Sequence, residues 1–179
     1  MKQSLLIFSI LFLFAFQAAN AQVAKGSLMV GGTAGFTTEF REDSDNLFSL
    51  TINPSVSKFF TDELAVGGAI GITYQKLGES SASVVNILPT VRYYFTGFEN
   101  NPAFFGQAQI GLALINQKFG DESDSENALQ YALGAGMSFF ITENASIDAL
   151  LAYNRIGGDF DIGSFGLSVG FQVFLNNGE

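Results

Sequence analysis

The chain has 179 residues, a formal net charge of −9 from 8 Lys and Arg against 17 Asp and Glu, and neither Cys nor His. With no basic patch to neutralise phosphates, nucleic acid is excluded as a partner; without Cys there is no disulfide and no lipid-modified cysteine. Without His, the Ser-His-Asp and Cys-His schemes and the usual zinc sites are also excluded.

The first segment has the pattern of an export signal: Lys2, an apolar run from Leu5 to Phe16 broken only by Ser9, then small-x-small at Ala19-Asn20-Ala21. The expected division is a signal peptide over 1–21 and one domain over 22–179. The apolar run is shorter than the roughly 20 residues of a spanning helix. Nothing downstream approaches that length without Gly or polar interruption, so a mature chain that enters a membrane must do so as strands.

Period-two alternation predicts those strands in order at 26–40, 47–60, 64–76, 84–95, 102–118, 128–141, 145–156 and 162–175. The second and fourth contain Pro54 and Pro89, where a missing ladder donor predicts a bulge or local irregularity. In the third, Leu64, Val66, Ile70, Ile72 and Tyr74 share one face against Ala65, Gly67, Ala69, Gly71 and Thr73. The sixth sets Leu129, Tyr131, Leu133, Met137 and Phe139 against Gln130, Ala132, Gly134, Gly136 and Ser138, and the eighth sets Phe165, Leu167, Val169, Phe171, Val173 and Leu175 against Gly166, Ser168, Gly170 and Gln172.

A greasy face that recurs in every segment behind an export signal is best solvated by lipid. The expected fold is an all-β, eight-stranded antiparallel up-and-down transmembrane β-barrel. Its narrow lumen is filled by side chains, with Gly and Ala leaving room for Gln107, Gln109, Arg92 and Gln172. Aromatic residues near the strand ends form two candidate girdles: Phe36, Phe48, Tyr74, Tyr131, Tyr153 and Phe165 at one end, Tyr93, Phe95, Phe104, Phe139 and Phe171 at the other. The connections at 41–46, 78–83, 120–127 and 157–161 are on average longer and more acidic than those after strands two, four and six. They are assigned to the cell exterior, with both termini in the periplasm.

Four groups of residues carry chemistry. Asp121, Glu122, Asp124 and Glu126 cluster in one expected loop; their oxygens suit calcium, but the spacing lacks the central Gly and terminal Glu of an EF-hand, so the cluster reads as a solvated acidic exterior loop with no metal. Arg41, Lys76, Lys118 and Arg155 lie at or just beyond the exterior strand ends, where they either bind the phosphates of lipopolysaccharide or snorkel without specific recognition. Arg92 and Asp148 fall on the inner face near the periplasmic end. An unpaired charge there is costly, so they are expected to pair directly or through Asn86, Asn154 or a water, the alternative being that Arg92 reaches periplasmic water.

With strands, girdles and signal in place, the chain resembles the small eight-stranded outer-membrane barrels of the outer-membrane protein A and X type, in particular the porin-family barrel domains common in Bacteroidota. The fourth group is the run Ser168-Val-Gly170-Phe-Gln-Val173-Phe-Leu175, which resembles the terminal signal read by the barrel-assembly machinery. The resemblance implies that Ser168, Gly170, Val173 and Leu175 guide insertion. It also implies a monomer without cofactors in the outer membrane of a Gram-negative bacterium, in contact with outer-membrane lipid and lipopolysaccharide. Enzymes on this fold, such as lipid A deacylases, acyltransferases and omptin-type proteases, rely on a histidine that this chain lacks.

The expected function is therefore non-enzymatic, structural or surface-interacting, in adhesion or envelope integrity. Eight strands leave no wide channel for general diffusion. Two alternatives stand beside it. A narrow pore or a carrier of a small hydrophobic molecule would show a dry cavity lined by Phe59, Phe105 and Phe140; a soluble periplasmic, lipocalin-like binding barrel would turn the apolar faces inward.

Overall fold

The computed structural model describes residues 23–39, 47–77, 80–119, 122–157 and 162–176; the segment 1–21 expected as a signal peptide lies outside them. Eight strands follow in chain order: β1 (Leu28–Glu39), β2 (Leu47–Phe59), β3 (Leu64–Leu77), β4 (Ser80–Tyr94), β5 (Ala103–Phe119), β6 (Glu122–Thr142), β7 (Ala145–Ile156) and β8 (Ile162–Leu175). Each pairs antiparallel with the next, and β8 returns to β1 to close a barrel.

The faces follow the alternation. Ile70, Ile72 and Tyr74 of β3, Leu129, Tyr131 and Leu133 of β6, and Phe165, Leu167 and Val169 of β8 are exposed, whereas Ala65, Ala69, Ala132, Ser138 and Gln172 are buried. A soluble barrel needs the reverse, because its apolar set must leave water; here that set is outside, which overturns the lipocalin-like alternative.

Two expected loops are strands instead. β3 and β4 stay paired up to Leu77↔Ser80, and β5 and β6 up to Phe119↔Glu122. Those segments are polar on both faces, so they carry no period-two apolar signal, yet ladder bonding continues above any lipid-facing band. Glu122, Asp124 and Glu126 therefore stand on β6, in register with Phe119, Gln117 and Ile115. Asp121 lies outside the described residues.

The prolines interrupt the ladder without shifting its register. Pairing skips from Ile52↔Ile72 to Ser55↔Ala69 between β2 and β3, and from Ile87↔Leu112 to Thr90↔Gln109 between β4 and β5. On the other side of each strand, pairing continues at Gly32↔Pro54 and Gly68↔Pro89. The missing N–H thus disrupts one edge only, and no bulge forms at either proline. Among the described residues the register shift is in β6–β7, between Phe140 and Thr142. There the side chain of Asn101 stands in for a strand: its Nδ2 donates to the Phe140 carbonyl at 2.9 Å and its Oδ1 accepts from the Phe140 N–H at 3.1 Å.

The lumen has two layers. At the end that carries the termini, Phe59, Tyr94, Phe98, Phe105, Phe140 and Phe174 pack with Met29 and Val23 into a buried cluster. Towards the other end a cavity of about 580 Å³ runs from Arg92 up to Ser49, Gln75, Ala82 and Ser164.

The β1–β8 seam is only half paired. Its ladder runs from Leu28↔Leu175 to Ala34↔Val169 and stops, whereas β1 continues against β2 to Glu39↔Leu47 and β8 against β7 to Ile156↔Ile162. In the paired half the backbones press together at glycines: a Cβ on Gly31 would fall within 2.1 Å of the Phe171 carbonyl oxygen, and one on Gly170 within 2.7 Å of that of Gly32. Side chains at either position would prise the seam apart.

Candidate functional site

The boundary between the two lumen layers is polar and charged. Arg92 of β4 donates from Nη1 to Asp148 Oδ2 of β7 at 2.6 Å, and from Nε and Nη2 to Gln107 Oε1 of β5 at 3.0 and 2.8 Å. Nη1 also reaches the Tyr94 hydroxyl at 3.2 Å. The second oxygen of Asp148 accepts from Ser146 at 2.9 Å. Gln107 is the register partner of Arg92 on the neighbouring strand, so its position follows from the pairing once two inner-face residues are brought level. Asn86 and Asn154 line the cavity above and do not bridge the pair.

The guanidinium also lies 3.9 Å from the centre of the Phe105 ring, a desolvated cation–π contact that joins the ionic layer to the aromatic one beneath. Removing two charges from water is expensive, and the Coulomb attraction offsets it only when the remaining donors and acceptors are met. Gln107, Tyr94 and Ser146 meet them. The result is a rigid floor under the cavity.

Below the floor the aromatic cluster centres on Phe98, which comes from the connection between β4 and β5. Its ring lies 4.6 Å from Tyr94, 5.7 Å from Phe59, 5.8 Å from Phe140 and 6.2 Å from Phe174, centre to centre. Phe59, Phe105 and Phe140 therefore fill the lumen and do not line a dry pocket. Sequence reasoning missed Phe98 because it sits in a turn, flanked by Gly97 and Glu99, where no alternation marks its direction. Tyr94 was hidden beside its outward neighbour Tyr93.

Above the floor the walls are mostly small and uncharged: Thr33, Ser49, Thr51, Asn53, Thr73 and Gln75 on one side, Asn86, Gln109, Gln130 and Asn154 on others. Three buried carbonyl oxygens in this lining, Asn86 Oδ1, Gln130 Oε1 and Gln172 Oε1, have no hydrogen-bond partner. Buried acceptors are normally satisfied by protein, water or a ligand; these three oxygens are enclosed by their neighbours and closed to the cavity.

The other predicted residues are dispersed. Lys76 and the backbone of Lys118 flank Ser81 from either side of β4; Arg155 lies apart, level with Tyr131 and Gly163; Arg41 is outside the described residues. Among the described residues no three potential metal ligands gather. Of the assembly-signal residues, Gly170 packs inward against β1, Ser168 borders the cavity, and Val173 and Leu175 face outward.

The same architecture recurs in solved outer-membrane barrels. The chain is similar to the N-terminal β-barrel domain of Pseudomonas aeruginosa OprF (TM-score 0.60, 15% identity, covering 85% of this chain and 99% of that one). It is also similar to Neisserial surface protein A (0.60, 20%, 84% and 97%) and to Ail, the attachment invasion locus protein of Yersinia pestis (0.50, 15%, 84% and 99%). At these identities the likeness is one of fold. No curated protein matches in sequence. Residues 7–172 match the outer membrane protein beta-barrel domain, nearly the whole of the eight-stranded closed sheet, and the chain belongs to that family.

Proposed function

We propose that this outer-membrane barrel is a non-enzymatic surface-interaction protein whose working element is the β5–β6 hairpin. The observation that carries this reading is the uneven height of the wall. β6 is paired with β5 up to Glu122, but on its other side pairing with β7 begins only at Gln130↔Ile156. Among the described residues no strand pairs with the segment from Glu122 to Ala128 on the β7 side, and the segment carries three carboxylate residues, Glu122, Asp124 and Glu126. Edge strands recruit extended partners, and charge on the edge selects among them. An extended basic segment fits both features.

The reading takes the end that carries the termini as periplasmic, in keeping with an even strand count, and the hairpin as exterior. Arg41, Lys76, Lys118 and Arg155 then belong to the side of lipopolysaccharide, and the Ser168, Gly170, Val173 and Leu175 run to assembly. The attachment and invasion in the name of Ail are of the same kind. A filled lumen speaks against the pore alternative, since the Arg92 layer and the Phe98 cluster lie in series across it.

The test replaces residues 117–126 by a two-residue Asn-Gly turn, in cells that carry the protein, and scores adhesion to a polylysine surface alongside leakage of a periplasmic enzyme. Loss of adhesion without leakage supports the surface role. Leakage with unchanged adhesion assigns the protein to envelope integrity, and no change in either rejects the hairpin as the working element.

A further inference from the structure

Met29 stands at the joint between the ionic floor and the aromatic plug. It lies on the inner face of β1, level with Ser57 of β2 and Phe174 of β8, and is 3% exposed. It belongs to the aromatic cluster, yet its Sδ lies 3.8 Å from Arg92 Nη1 and 3.8 Å from the Tyr94 hydroxyl. A leucine would fill much the same volume. What the thioether adds is an acceptor, and a sulfur that can be oxidised.

Donors and acceptors around this sulfur are out of balance. The Nη1 of a guanidinium carries two hydrogens, and three acceptors face it: Asp148 Oδ2 at 2.6 Å, the Tyr94 oxygen at 3.2 Å and Met29 Sδ at 3.8 Å. The Tyr94 hydroxyl has a single hydrogen, and Ser138 Oγ, 3.4 Å away, is its other partner. A thioether is the weakest acceptor of the set, so it takes what the oxygens leave. An oxygen added to the sulfur makes it a strong acceptor within reach of both donors, and puts a polar atom into a packed cluster. The floor and the plug are then disturbed together, because Met29 touches both.

We propose that Met29 is an oxidation site through which a peroxide loosens the plug of the lumen. The sulfur attacks one peroxide oxygen, and the O–O bond breaks as the S–O bond forms. The departing hydroxide takes the proton of the transferred oxygen and leaves as water, so the thioether is oxidised to the sulfoxide and the peroxide reduced. Met29 is among the residues that border the cavity above the floor, as is its contact Arg92, and an oxidant of nearly water size approaches from that side. The sulfoxide oxygen then accepts from Arg92 and Tyr94, Asp148 shares its cation, and the Tyr94 ring, 4.6 Å from Phe98, is drawn out of the stack. The site is separate from the β5–β6 hairpin, so it stands or falls independently of the surface-interaction reading.

The test treats the full barrel in lipid nanodiscs with hydrogen peroxide, maps the oxidised peptides by mass spectrometry and records the treated protein in planar bilayers. Met29 is expected to convert at no less than about one hundredth of its rate in the urea-unfolded chain, with brief channel openings that appear in step with the sulfoxide. Slower conversion means that the sulfur is sealed from the oxidant and overturns the proposal. Heat-modifiable migration is expected to persist; its loss would make the reaction damage to the core and would overturn the proposal equally.

The decisive variant is M29L, which keeps the volume and removes the sulfur. It retains Met137, which shares the outward face with Phe139 and is level with Phe104 and Ala149. Peroxide-treated M29L is expected to stay silent, and openings in it would assign the effect to Met137 or another group and overturn the proposal. M29Q brings an amide oxygen to the place of the sulfoxide and is expected to open without peroxide, about tenfold more often than M29L. Complete oxidation of Met29 with silent recordings means that the sulfur only fills space, and that result rejects the switch whatever M29Q does.

Discussion

Arg92 and Asp148 meet at 2.6 Å across the lumen with side chains 4% and 0% exposed, so each is the other's solvent. Removing one leaves a charge buried against Phe105 or Ser146, and D148A or R92A is expected to destabilise the barrel by about 3–5 kcal/mol. The double replacement R92M/D148L, which removes both charges and keeps volume, is expected to be far less harmful than the two single losses together. Urea unfolding in lipid vesicles, followed by heat-modifiable migration, gives the cycle. Additive losses would show that the two side chains merely touch.

Phe98 makes a different prediction because it belongs to a connection, not to the wall. F98A removes the central ring of the cluster beneath the ionic floor, with an expected loss of about 3–5 kcal/mol if the cavity stays open. The strands and their outward faces are untouched, so the barrel should still form. Planar-bilayer recordings are expected to be silent for the unaltered chain and to show brief openings for F98A combined with R92M/D148L. Steady conductance from the unaltered chain would mean that the plug moves aside.

Gly170 separates packing from signalling. Its missing Cβ leaves room for the Gly32 carbonyl oxygen, which would otherwise be 2.7 Å away, so G170V is expected to block closure even when the purified chain is refolded in detergent without any assembly machinery. S168A keeps the seam and should refold normally. If G170V refolds in detergent and fails only in cells, the glycine acts in recognition by the machinery and not in the seam.

The alternation of large and small residues made the strands and their faces legible, because lipid on one side and a crowded lumen on the other impose opposite sizes at successive positions. The same rule was silent above the lipid. From Ser80 to Ser83 and from Glu122 to Asn127 both faces are polar, so those strands read as loops until their partners were known. Arg92 and Asp148 were recognisable as inner charges, but Gln107 needed the β4–β5 register. The half-open seam depends on how far β1 and β8 extend against each other, a relation between the two ends of the chain that no local pattern encodes.

Leu133 tests the orientation of the faces directly. It is 66% exposed and lies mid-strand between Ala108 of β5 and Tyr153 of β7, so L133R places a charge in the hydrocarbon. The expected loss is about 2–4 kcal/mol near the midplane. The preceding residue, Ala132, is buried on the lumen face, and A132S, which adds one hydroxyl beside Asn154 and Gln109, should be nearly neutral because the lumen offers it partners. Measured by urea titration in vesicles of increasing bilayer thickness, the L133R loss should grow with thickness while A132S stays flat. A thickness-independent loss for L133R would mean that its side chain contacts protein instead of lipid.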